Sequence, residues 1–263
     1  MILDTIAAST KLRVERDKNS ISLEKIKEMA VLHNPKEAFL FENRLKQPGM
    51  HFICEVKKAS PSKGLIAEHF PYLSIAKEYE AAGADCISVL TEPEFFLGSD
   101  VYLKEIKERV HIPVLRKDFT VDEYQIYQAK VLGADCILLI CSLLSEAELK
   151  SFINLCDQLS LSALVEAHDE EEVAIAVRAG ARILGVNNRN LKTFEVNIKN
   201  SLHLRSLVPE DIIFVAESGI DSYQQVKELM EAKVNAVLIG ESLMRAKNKK
   251  QMLEELRGDL DES

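Results

Sequence analysis

Two copies of a short motif decide how this chain folds: AAGADCISVL at residues 81–90 and VLGADCILLI at residues 131–140. Weaker copies follow, RAGARILGV at 178–186 and EAKVNAVLIG at 231–240. In each copy an amphipathic stretch ends, usually at a glycine, and an apolar run begins a few residues later. A glycine just beyond a helix supplies the left-handed conformation that ends the helix. We therefore interpret each copy as the turn from a helix into a strand.

The spacing of these copies sets the size of the repeated unit. Gly83, Gly133 and Gly180 are separated by 50 and 47 residues, so each interval holds two strand–helix units of about 25 residues. Apolar strands that alternate with helices are typical of a parallel sheet covered by helices. Eight such units predict an α/β fold of the (β/α)8 or TIM-barrel type, with a doubly wound open sheet as the alternative. The eight predicted strands are residues 52–57, 86–90, 113–117, 136–141, 162–166, 182–187, 212–217 and 236–240.

Residues 1–50 precede the first predicted strand. Two stretches, ILDTIAASTKLRVERDK at 2–18 and ISLEKIKEMA at 21–30, combine helical spacing of apolar residues with many charges. We interpret residues 1–50 as an N-terminal helical extension that packs on the barrel. Residues 1–263 are then a single barrel domain, because no linker or low-complexity segment divides them.

The composition is that of an acidic globular protein, with 47% hydrophobic residues, 29% charged residues and a formal net charge of −9. A nucleic-acid-binding protein needs a basic surface, so we expect no nucleic-acid partner. Apolar runs are far shorter than the roughly 18 residues of a membrane span, and no signal peptide is recognised, so no membrane partner is expected. Five cysteines without a CxxC pair are typical of buried thiols in a reducing compartment. We therefore expect a cytoplasmic protein.

Charged residues cluster where the predicted strands end. Active sites of parallel barrels lie at the C-terminal ends of the strands. A lysine that stays protonated beside carboxylates can serve as a general acid, whereas a desolvated lysine without partners suits Schiff-base chemistry. Both readings of the lysines are open at this point. The predicted mouth of the barrel holds two lysines and three glutamates: Glu55, Lys57, Lys117, Glu166 and Glu217.

Two glycine-containing turns follow the last two strands, Ser218-Gly219-Ile220 and Gly240-Glu241-Ser242. Glycine allows the backbone to approach an anion closely, and backbone N–H groups can then bind it. The loops after strands seven and eight form the recurrent phosphate site of barrel enzymes. The sequence therefore predicts a phosphorylated small-molecule substrate.

The loops after the first three strands complete the predicted site. SPSKG at 60–64 is a polar loop expected to cover the mouth, and Phe95, Phe96 and Phe119 are aromatic residues beside it. An aromatic substrate moiety next to a phosphate is therefore plausible. The six histidines have no metal-ligand spacing, and His168 is expected to begin the next helix. We expect neither a metal nor a cofactor.

At these residues the sequence resembles the indole-3-glycerol-phosphate synthase family of tryptophan biosynthesis. The resemblance runs from the first strand to the last helix, and the helical extension is also similar to the family. It implies a lyase that converts 1-(2-carboxyphenylamino)-1-deoxyribulose 5-phosphate into indole-3-glycerol phosphate, carbon dioxide and water. The motifs that carry it are EVKKASPSKG, LTEPEFFLGS, LRKDF, GADCILLI, LVEAHDEEE, GVNNRNL, VAESGI and LIGESLM.

The resemblance also implies a set of catalytic residues. Lys117 would protonate the ketone as the aromatic ring carbon attacks it, and decarboxylation would then restore aromaticity. Loss of water needs a second acid, for which Lys57 and Glu166 are both candidates. Glu55 would hold Lys57 in place. Asn187 would orient the ribulose hydroxyls. The full catalytic set is Glu55, Lys57, Lys117, Glu166, Asn187 and Ser218.

Two further groups of residues would bind the substrate. Ser60 and Arg189 would meet carboxylate or phosphate oxygens. Lys57 and the backbone of four turn residues, Ser218, Gly219, Gly240 and Glu241, would bind the phosphate. The apolar pocket for the anthranilate ring would consist of Pro61, Phe96, Phe119 and Leu191.

The departures from the family pattern are small. Glu241 stands where some relatives carry a serine, and the chain has no tryptophan. A single barrel accounts for the chain, so we do not expect a fused second enzyme. We expect the protein to be a monomer. The alternatives are a sugar-phosphate isomerase or aldolase on the same barrel, and a non-catalytic barrel that binds a phosphorylated ligand.

Overall fold

Eight parallel strands form a closed barrel in the computed structural model, which describes residues 2–33, 37–190 and 193–258. Each strand pairs with the next along the chain, and the last pairs with the first through His51 and Ala236. The closed barrel confirms the predicted fold and excludes the open sheet. The barrel strands are β1 (His51–Val56), β2 (Cys86–Leu90), β3 (Val114–Lys117), β4 (Cys136–Ile140), β5 (Ser162–Ala167), β6 (Ile183–Asn187), β7 (Ile213–Glu217) and β8 (Ala236–Ile239).

Helices follow the strands on the outside of the barrel, and others precede the first strand. The two predicted helices of the extension are confirmed as the first two elements, whereas the third helix was not predicted. The helices are α1 (Ile2–Ser20), α2 (Leu23–Leu32), α3 (Leu40–Leu45), α4 (Tyr72–Ala81), α5 (Asp100–Lys107), α6 (Glu123–Leu132), α7 (Glu146–Gln158), α8 (Glu170–Ala179), α9 (Lys199–Arg205), α10 (Tyr223–Glu231), α11 (Glu241–Arg245) and α12 (Lys249–Arg257).

The repeated motif performs the same structural task in each copy. Gly133 and Gly180 end α6 and α8 in the left-handed conformation, with φ of 86° and 91°. In the weakest copy Lys233 takes this role with φ of 60°. In three of the four copies the next polar residue also accepts a backbone hydrogen bond at the start of the preceding strand; Asp85 accepts from the N–H of Phe52 at 2.9 Å. The motif therefore ends a helix and fixes the start of two neighbouring strands.

The interior of the barrel is filled from below by α3. Phe41 and Leu45 of this helix are fully buried and pack against interior side chains of the strands. Glu42 between them pairs with Lys46 at 2.6 Å and with Arg182 at 2.9 Å. A six-residue helix thus closes the N-terminal end of the barrel, which we call the bottom. The interior side chains that it covers include Ile53, Cys86, Leu115, Cys136, Leu164, Ile183 and Val215.

The extension is fixed to the barrel by buried contacts. Arg13 of α1 pairs with Asp118, one residue beyond β3, at 2.7 Å. Val14 and Ile26 pack on Tyr124 of α6. All five cysteines are buried, as predicted. Within the described residues, no helix combines the length and the apolar character that crossing a membrane requires.

Candidate active site

A cavity of about 730 Å³ opens at the C-terminal ends of the strands, which we call the mouth. It brings together the predicted site residues from seven of the eight strand ends and from the loops that follow them. Leu191 is the exception, because it lies outside the described residues. The predicted residues that line the cavity are Glu55, Lys57, Ser60, Pro61, Phe96, Lys117, Phe119, Glu166, Asn187, Arg189, Ser218, Gly219, Gly240 and Glu241.

Strand alternation aims the charged side chains into the mouth. Leu115, two residues before Lys117, fills the barrel interior, and Leu164 does the same two residues before Glu166. Val215 has this relation to Glu217. The same face of each strand therefore contributes an apolar residue to the interior and a charged residue to the mouth, as the sequence predicted.

Lys117 lies at the centre of the charged group. Its ammonium is 3.4 Å from Oε2 of Glu166 and 3.4 Å from Oε2 of Glu217. Lys57 pairs separately with Oε1 of Glu55 at 2.5 Å, which confirms the expected contact between these two side chains. All three glutamates are buried, so two lysines face three carboxylates in a region with little solvent.

The three carboxylates differ in how firmly they hold a proton. Burial raises the pKa of all three, but the charges nearby differ. For Glu166, Lys117 and His168 outweigh burial and lower the pKa to about 2. For Glu55, Lys57 and Lys117 also lower the pKa below its ordinary value. For Glu217 burial dominates, assisted by the charges of Glu166 and Glu55, and the pKa rises to about 7.

Lys117 itself stays protonated. Burial alone would lower the pKa of its ammonium, but Glu217, Glu166 and Glu55 reverse this effect and raise the pKa above its ordinary value. This environment suits a proton donor and disfavours the neutral amine that a Schiff base requires. The surroundings of Lys117 therefore favour the general-acid interpretation over the Schiff-base one.

A glycine on β6 makes room for this arrangement. Gly185 lies beside Glu166 in the sheet, and a side chain at Gly185 would collide with the carboxylate of Glu217. Within the described residues, Oε1 of Glu217 is buried without a hydrogen-bond partner. Buried polar atoms of this kind are rare and mark sites where a ligand or a reacting group can supply the partner.

The two glycine turns lie side by side at the mouth, directly after the neighbouring strands β7 and β8. Ser218 and Gly219 both have positive φ, 69° and 75°, and a side chain at Gly219 would collide with Val196. A Cβ at Gly240 would lie 2.5 Å from Oε1 of Glu55 and 2.9 Å from Nζ of Lys57. The turn at Gly240 is therefore in direct contact with the Glu55–Lys57 pair.

The loop after β1 is ordered as a small hairpin, which the sequence analysis did not predict. Its two short strands, Ala59–Ser60 and Gly64–Leu65, pair in antiparallel fashion. Near its tip Lys63 pairs with Glu241 of the neighbouring loop after β8, at 3.5 Å. The backbone N–H of Ala59 also donates to the carbonyl of Phe96. The loop is thus connected both to the glycine turn at Gly240 and to the loop that carries Phe96.

The aromatic wall consists of Phe96 and Phe119, whose ring centroids are 5.9 Å apart. Phe95 is not among the residues that line the cavity. Glu92 holds the loop in shape, because its buried carboxylate accepts hydrogen bonds from the backbone N–H groups of Glu94, Phe95 and Phe96. The carboxylate of Glu92 thereby satisfies the backbone N–H groups of a turn that is neither helix nor strand.

The loop after β6 carries the remaining polar residues. The side-chain oxygen of Asn187 accepts a hydrogen bond from the backbone N–H of Arg189 at 3.0 Å. The guanidinium of Arg189 donates to the carbonyl of Phe194 at 3.2 Å. Both side chains face the cavity. Arg189 is therefore held at the edge of the mouth while part of its guanidinium remains available.

Several lining residues were missed by the sequence analysis. Ile2, Leu3 and Ile6 of α1 form part of the cavity wall, as do Phe194 and Val196 of the loop after β6. The sequence shows helical spacing for Ile2, Leu3 and Ile6, but this spacing is equally typical of a helix that only packs on the barrel. The charge of Glu217 was recognised at the mouth, although no catalytic role was assigned to it.

Comparisons with known proteins agree with this geometry. The family model described as indole-3-glycerol phosphate synthase matches residues 3–256. The indole-3-glycerol phosphate synthase of Ruminiclostridium cellulolyticum is 61% identical over 258 residues, which are 98% of this chain and 99% of that protein. The protein of the same name from Endomicrobium trichonymphae is 56% identical over 257 residues, 98% of this chain and 100% of that protein.

Similarity to solved structures concerns the fold alone. The 3-hexulose-6-phosphate synthase of Salmonella typhimurium superposes with a TM-score of 0.65 at 16% identity, over 80% of this chain and 97% of that one. A thiamine phosphate pyrophosphorylase from Pyrococcus furiosus has a TM-score of 0.60, also at 16% identity. The family model and the relatives of high identity, which span nearly the whole chain, show more than a fold. The chain belongs to the indole-3-glycerol phosphate synthase family, whose members are decarboxylating lyases of tryptophan biosynthesis.

Proposed function

We propose that the mouth of this barrel closes the indole ring of 1-(2-carboxyphenylamino)-1-deoxyribulose 5-phosphate, with Lys117 as the general acid. One observation carries the proposal. The ammonium of Lys117 lies between Glu166 and Glu217, with the aromatic wall at one edge of the cavity and the two glycine turns at the other. A proton donor thus lies between a pocket for a ring and a pocket for a phosphate.

In the first step the ring carbon that bears the carboxylate attacks the ketone carbon of the ribulose. The C=O π bond breaks, its electron pair moves to oxygen, and Lys117 donates the proton that makes this oxygen a hydroxyl. The three surrounding carboxylates keep Lys117 charged until negative charge develops on the substrate. Such stabilisation acts mainly in the transition state. Loss of carbon dioxide then returns the bonding electrons to the ring and restores its aromaticity.

The dehydration step requires a second proton donor, and Lys57 fits it better than Glu166. The pKa of Glu166 is lowered to about 2, so this carboxyl carries no proton to donate near neutral pH. Lys57 is held by Glu55 and faces the cavity. We propose that Lys57 protonates the departing hydroxyl. An ionised carboxylate accepts the C–H proton whose loss completes the new double bond, and Glu166 is suited to that role.

The phosphate is proposed to bind at the two glycine turns. Backbone N–H groups of Ser218, Gly219, Gly240 and Glu241 can surround its oxygens, and Lys57 beside Gly240 supplies positive charge. Gly219→Val should raise KM strongly, because the new side chain fills the turn. Gly180→Val is the matched control, since Gly180 also has positive φ but lies at the end of α8 with open space around it. An equal KM in both variants would place the phosphate elsewhere.

The remaining contacts divide between the ring and the sugar. Pro61, Phe96 and Phe119 would enclose the anthranilate ring, together with Leu191. Asn187 would orient the ribulose hydroxyls. Ser60 and Arg189 would meet carboxylate or phosphate oxygens, and the exposed part of the Arg189 guanidinium suits such an anion.

Further features of the protein are part of the same proposal. We propose a monomer that works in the cytoplasm, binds no nucleic acid and needs no metal or cofactor for this reaction. Analytical ultracentrifugation of the purified chain tests the oligomeric state. Activity that survives prolonged dialysis against a chelator tests the requirement for a metal.

The reaction itself is tested by incubating the protein with the carboxyphenylamino substrate and following indole fluorescence and carbon dioxide release. Both signals should rise in equal molar amounts. A protein that traps a substrate adduct upon borohydride reduction, without indole formation, would instead be an aldolase with a Schiff-base lysine. The comparisons and the charged state of Lys117 do not favour that alternative.

A further inference from the structure

His168 lies between two carboxylates behind the mouth. It follows β5 directly and precedes Asp169, the residue that caps α8. His168 therefore lies in the turn, and the expectation that it begins the helix is wrong. Its Nε2 is 3.4 Å from Oε1 of Glu166, and its Nδ1 is 3.0 Å from Oε2 of Glu172. A hydrogen bond with Glu172 thus holds the ring at Nδ1, while Nε2 lies at ion-pair distance from Glu166 without a hydrogen bond.

Two carboxylates around one imidazole favour the doubly protonated ring. A neutral imidazole carries one N–H, so one of the two carboxylates would face a lone pair. Burial alone would lower the pKa of His168, but Glu166 and Glu172 outweigh it and raise the pKa to about 10. Glu172 also accepts the backbone N–H of His168, at 2.8 Å. Glu172 therefore holds the ring at Nδ1, and the ion-pair contact of Nε2 with Glu166, which is not a hydrogen bond, favours the cationic form.

The surroundings of His168 make Glu166 its functional target. The charged groups that face it are Glu166 of β5 and Glu172 of α8, while Lys117 of β3 acts from the far side of Glu166. From α9, the neutral side chain of Asn200 donates to the carbonyl of His168. Each oxygen of Glu166 thus has its own cation, Lys117 on Oε2 and His168 on Oε1.

We propose that His168 is a positioning residue of the ring-closing reaction: its imidazolium, held by Glu172, orients the carboxylate of Glu166 and keeps it ionised opposite Lys117. The proposal rests on the proposed function and adds a residue to it. His168 itself does not line the cavity, so it acts through Glu166 and not on the substrate.

This arrangement explains why two similar carboxyls behave differently. Glu166 and Glu217 contact Lys117 at the same distance, but His168 pairs with Glu166 alone. The second cation therefore helps to lower the pKa of Glu166, whereas the pKa of Glu217, which lacks this cation, is raised by burial. His168 thereby decides which carboxylate is available as a base.

The kinetic test compares His168→Asn with His203→Asn. His203 of α9 also pairs with a glutamate, Glu170, at 2.8 Å, but this pair is exposed to solvent, so the second variant is the matched control. For His168→Asn we expect kcat at pH 7 to fall about tenfold while KM stays within about twofold. The acidic limb of kcat against pH should move up by about one unit, because Glu166 has lost a neighbouring cation. An acidic limb identical to that of His203→Asn would overturn the proposal.

A second measurement does not depend on activity. In an NMR titration of the whole protein, the ring signals of His168 should remain those of the protonated form beyond pH 9, and an ordinary titration near pH 6.5 would overturn the proposal. Glu172→Gln should bring this titration down into the pH 7–9 range and reduce kcat on the alkaline side. It replaces His168→Asn if that variant does not fold. A wild-type protein that shows the protonated histidine but no indole formation would contradict the proposed function alone.

Discussion

The two ends of the barrel differ in how their buried acidic residues are paired. At the bottom each buried acid is matched by close partners: Asp85 contacts Arg44 at 2.8 Å, His51 at 3.1 Å and the N–H of Phe52 at 2.9 Å. At the mouth three buried glutamates share two lysines. Among the described residues, two of the three buried polar atoms without a hydrogen-bond partner, on His168 and Glu217, lie at or just behind the mouth.

The difference teaches that the same architecture can place stability and chemistry at opposite ends. Pairing that satisfies every group lowers the energy of the folded state but leaves nothing for a substrate to bind. Incomplete pairing raises that energy and keeps charge ready to act in the transition state. Loss of a catalytic side chain at the mouth should therefore lower the rate, whereas loss of a packed side chain at the bottom should lower stability.

The largest expected effect is on the rate, from Lys117→Ala at the mouth. Removing the general acid should lower kcat by about 10²–10⁴, which corresponds to about 3–5 kcal/mol, with a much smaller change in KM. Steady-state kinetics measures both constants, and thermal unfolding should show that the variant remains folded.

Lys117→Arg should not restore full activity, because the guanidinium is a far weaker acid with a different reach. A folded Lys117→Ala protein with a kcat near that of the parent would refute the assigned role and move the first proton transfer to Lys57.

Phe41→Ala at the bottom should have the complementary effect. Removing a fully buried ring from the helix that closes the barrel should cost about 3–4 kcal/mol of unfolding free energy. Chemical denaturation measures this loss. The kcat of the folded fraction should be unchanged, so a parallel fall in kcat would show that the two ends are coupled.

The pH dependence of stability should have opposite signs at the two ends. The folded-state pKa of Glu217 is raised to about 7, so its carboxyl favours folding at low pH, and this contribution is lost as pH rises from about 4.5 to 7. Relative to Glu217→Gln, the parent should lose about 1–3 kcal/mol over this range. Denaturation curves at pH 4.5 and 7.5 measure the difference.

Asp85 provides the opposite case. Burial would raise the pKa of its carboxyl, but His51, the N–H of Phe52 and Arg44 lower it below the ordinary value. Its stabilising contribution is thus present at neutral pH and is lost on acidification through the folded-state pKa. Asp85→Asn should be less stable than the parent at pH 6, and the gap should narrow toward pH 3. The same sign of pH dependence for Asp85→Asn and Glu217→Gln would contradict the comparison.

The smallest effect is expected from Phe119→Ala in the aromatic wall. Losing one face of the ring pocket should weaken substrate binding by about 1–2 kcal/mol, roughly a tenfold rise in Kd, since Phe96 remains. Calorimetry with the product measures the affinity. Tyr223→Ala, an exposed ring on α10, is the control. Equal affinities in the two variants would remove Phe119 from the ring site.

The sequence was sufficient for the barrel and for the charged mouth. Strand ends agree to within two residues, because each strand is apolar up to the point where its chain turns polar. Lys117 and Glu166 could be placed for the same reason: alternation fixes which side of a strand faces the interior.

Contacts between distant segments could not be read in this way. The helix that carries Phe41 and Leu45 is too short for a periodic signal, and only the empty bottom of the closed barrel explains its position. The hairpin formed by Ala59–Ser60 and Gly64–Leu65 also lacks any alternating pattern. His168 was missed for a different reason: both of its partners, Glu166 and Glu172, lie within four residues of it, but the sequence does not show that their carboxylates turn toward the ring.

The pairing of β1 with β8 has a consequence for the order in which the parts of the mouth can fold during synthesis. Glu55 and Lys57 emerge early in synthesis, whereas Gly240, which lies against them, emerges near the end. Until β8 pairs with β1, the edge of β1 is open and its charged residues remain in water. Glu55 and Lys57 are therefore removed from water only in the last stage of folding. A nascent chain released before β8 would have most of a barrel and no complete site.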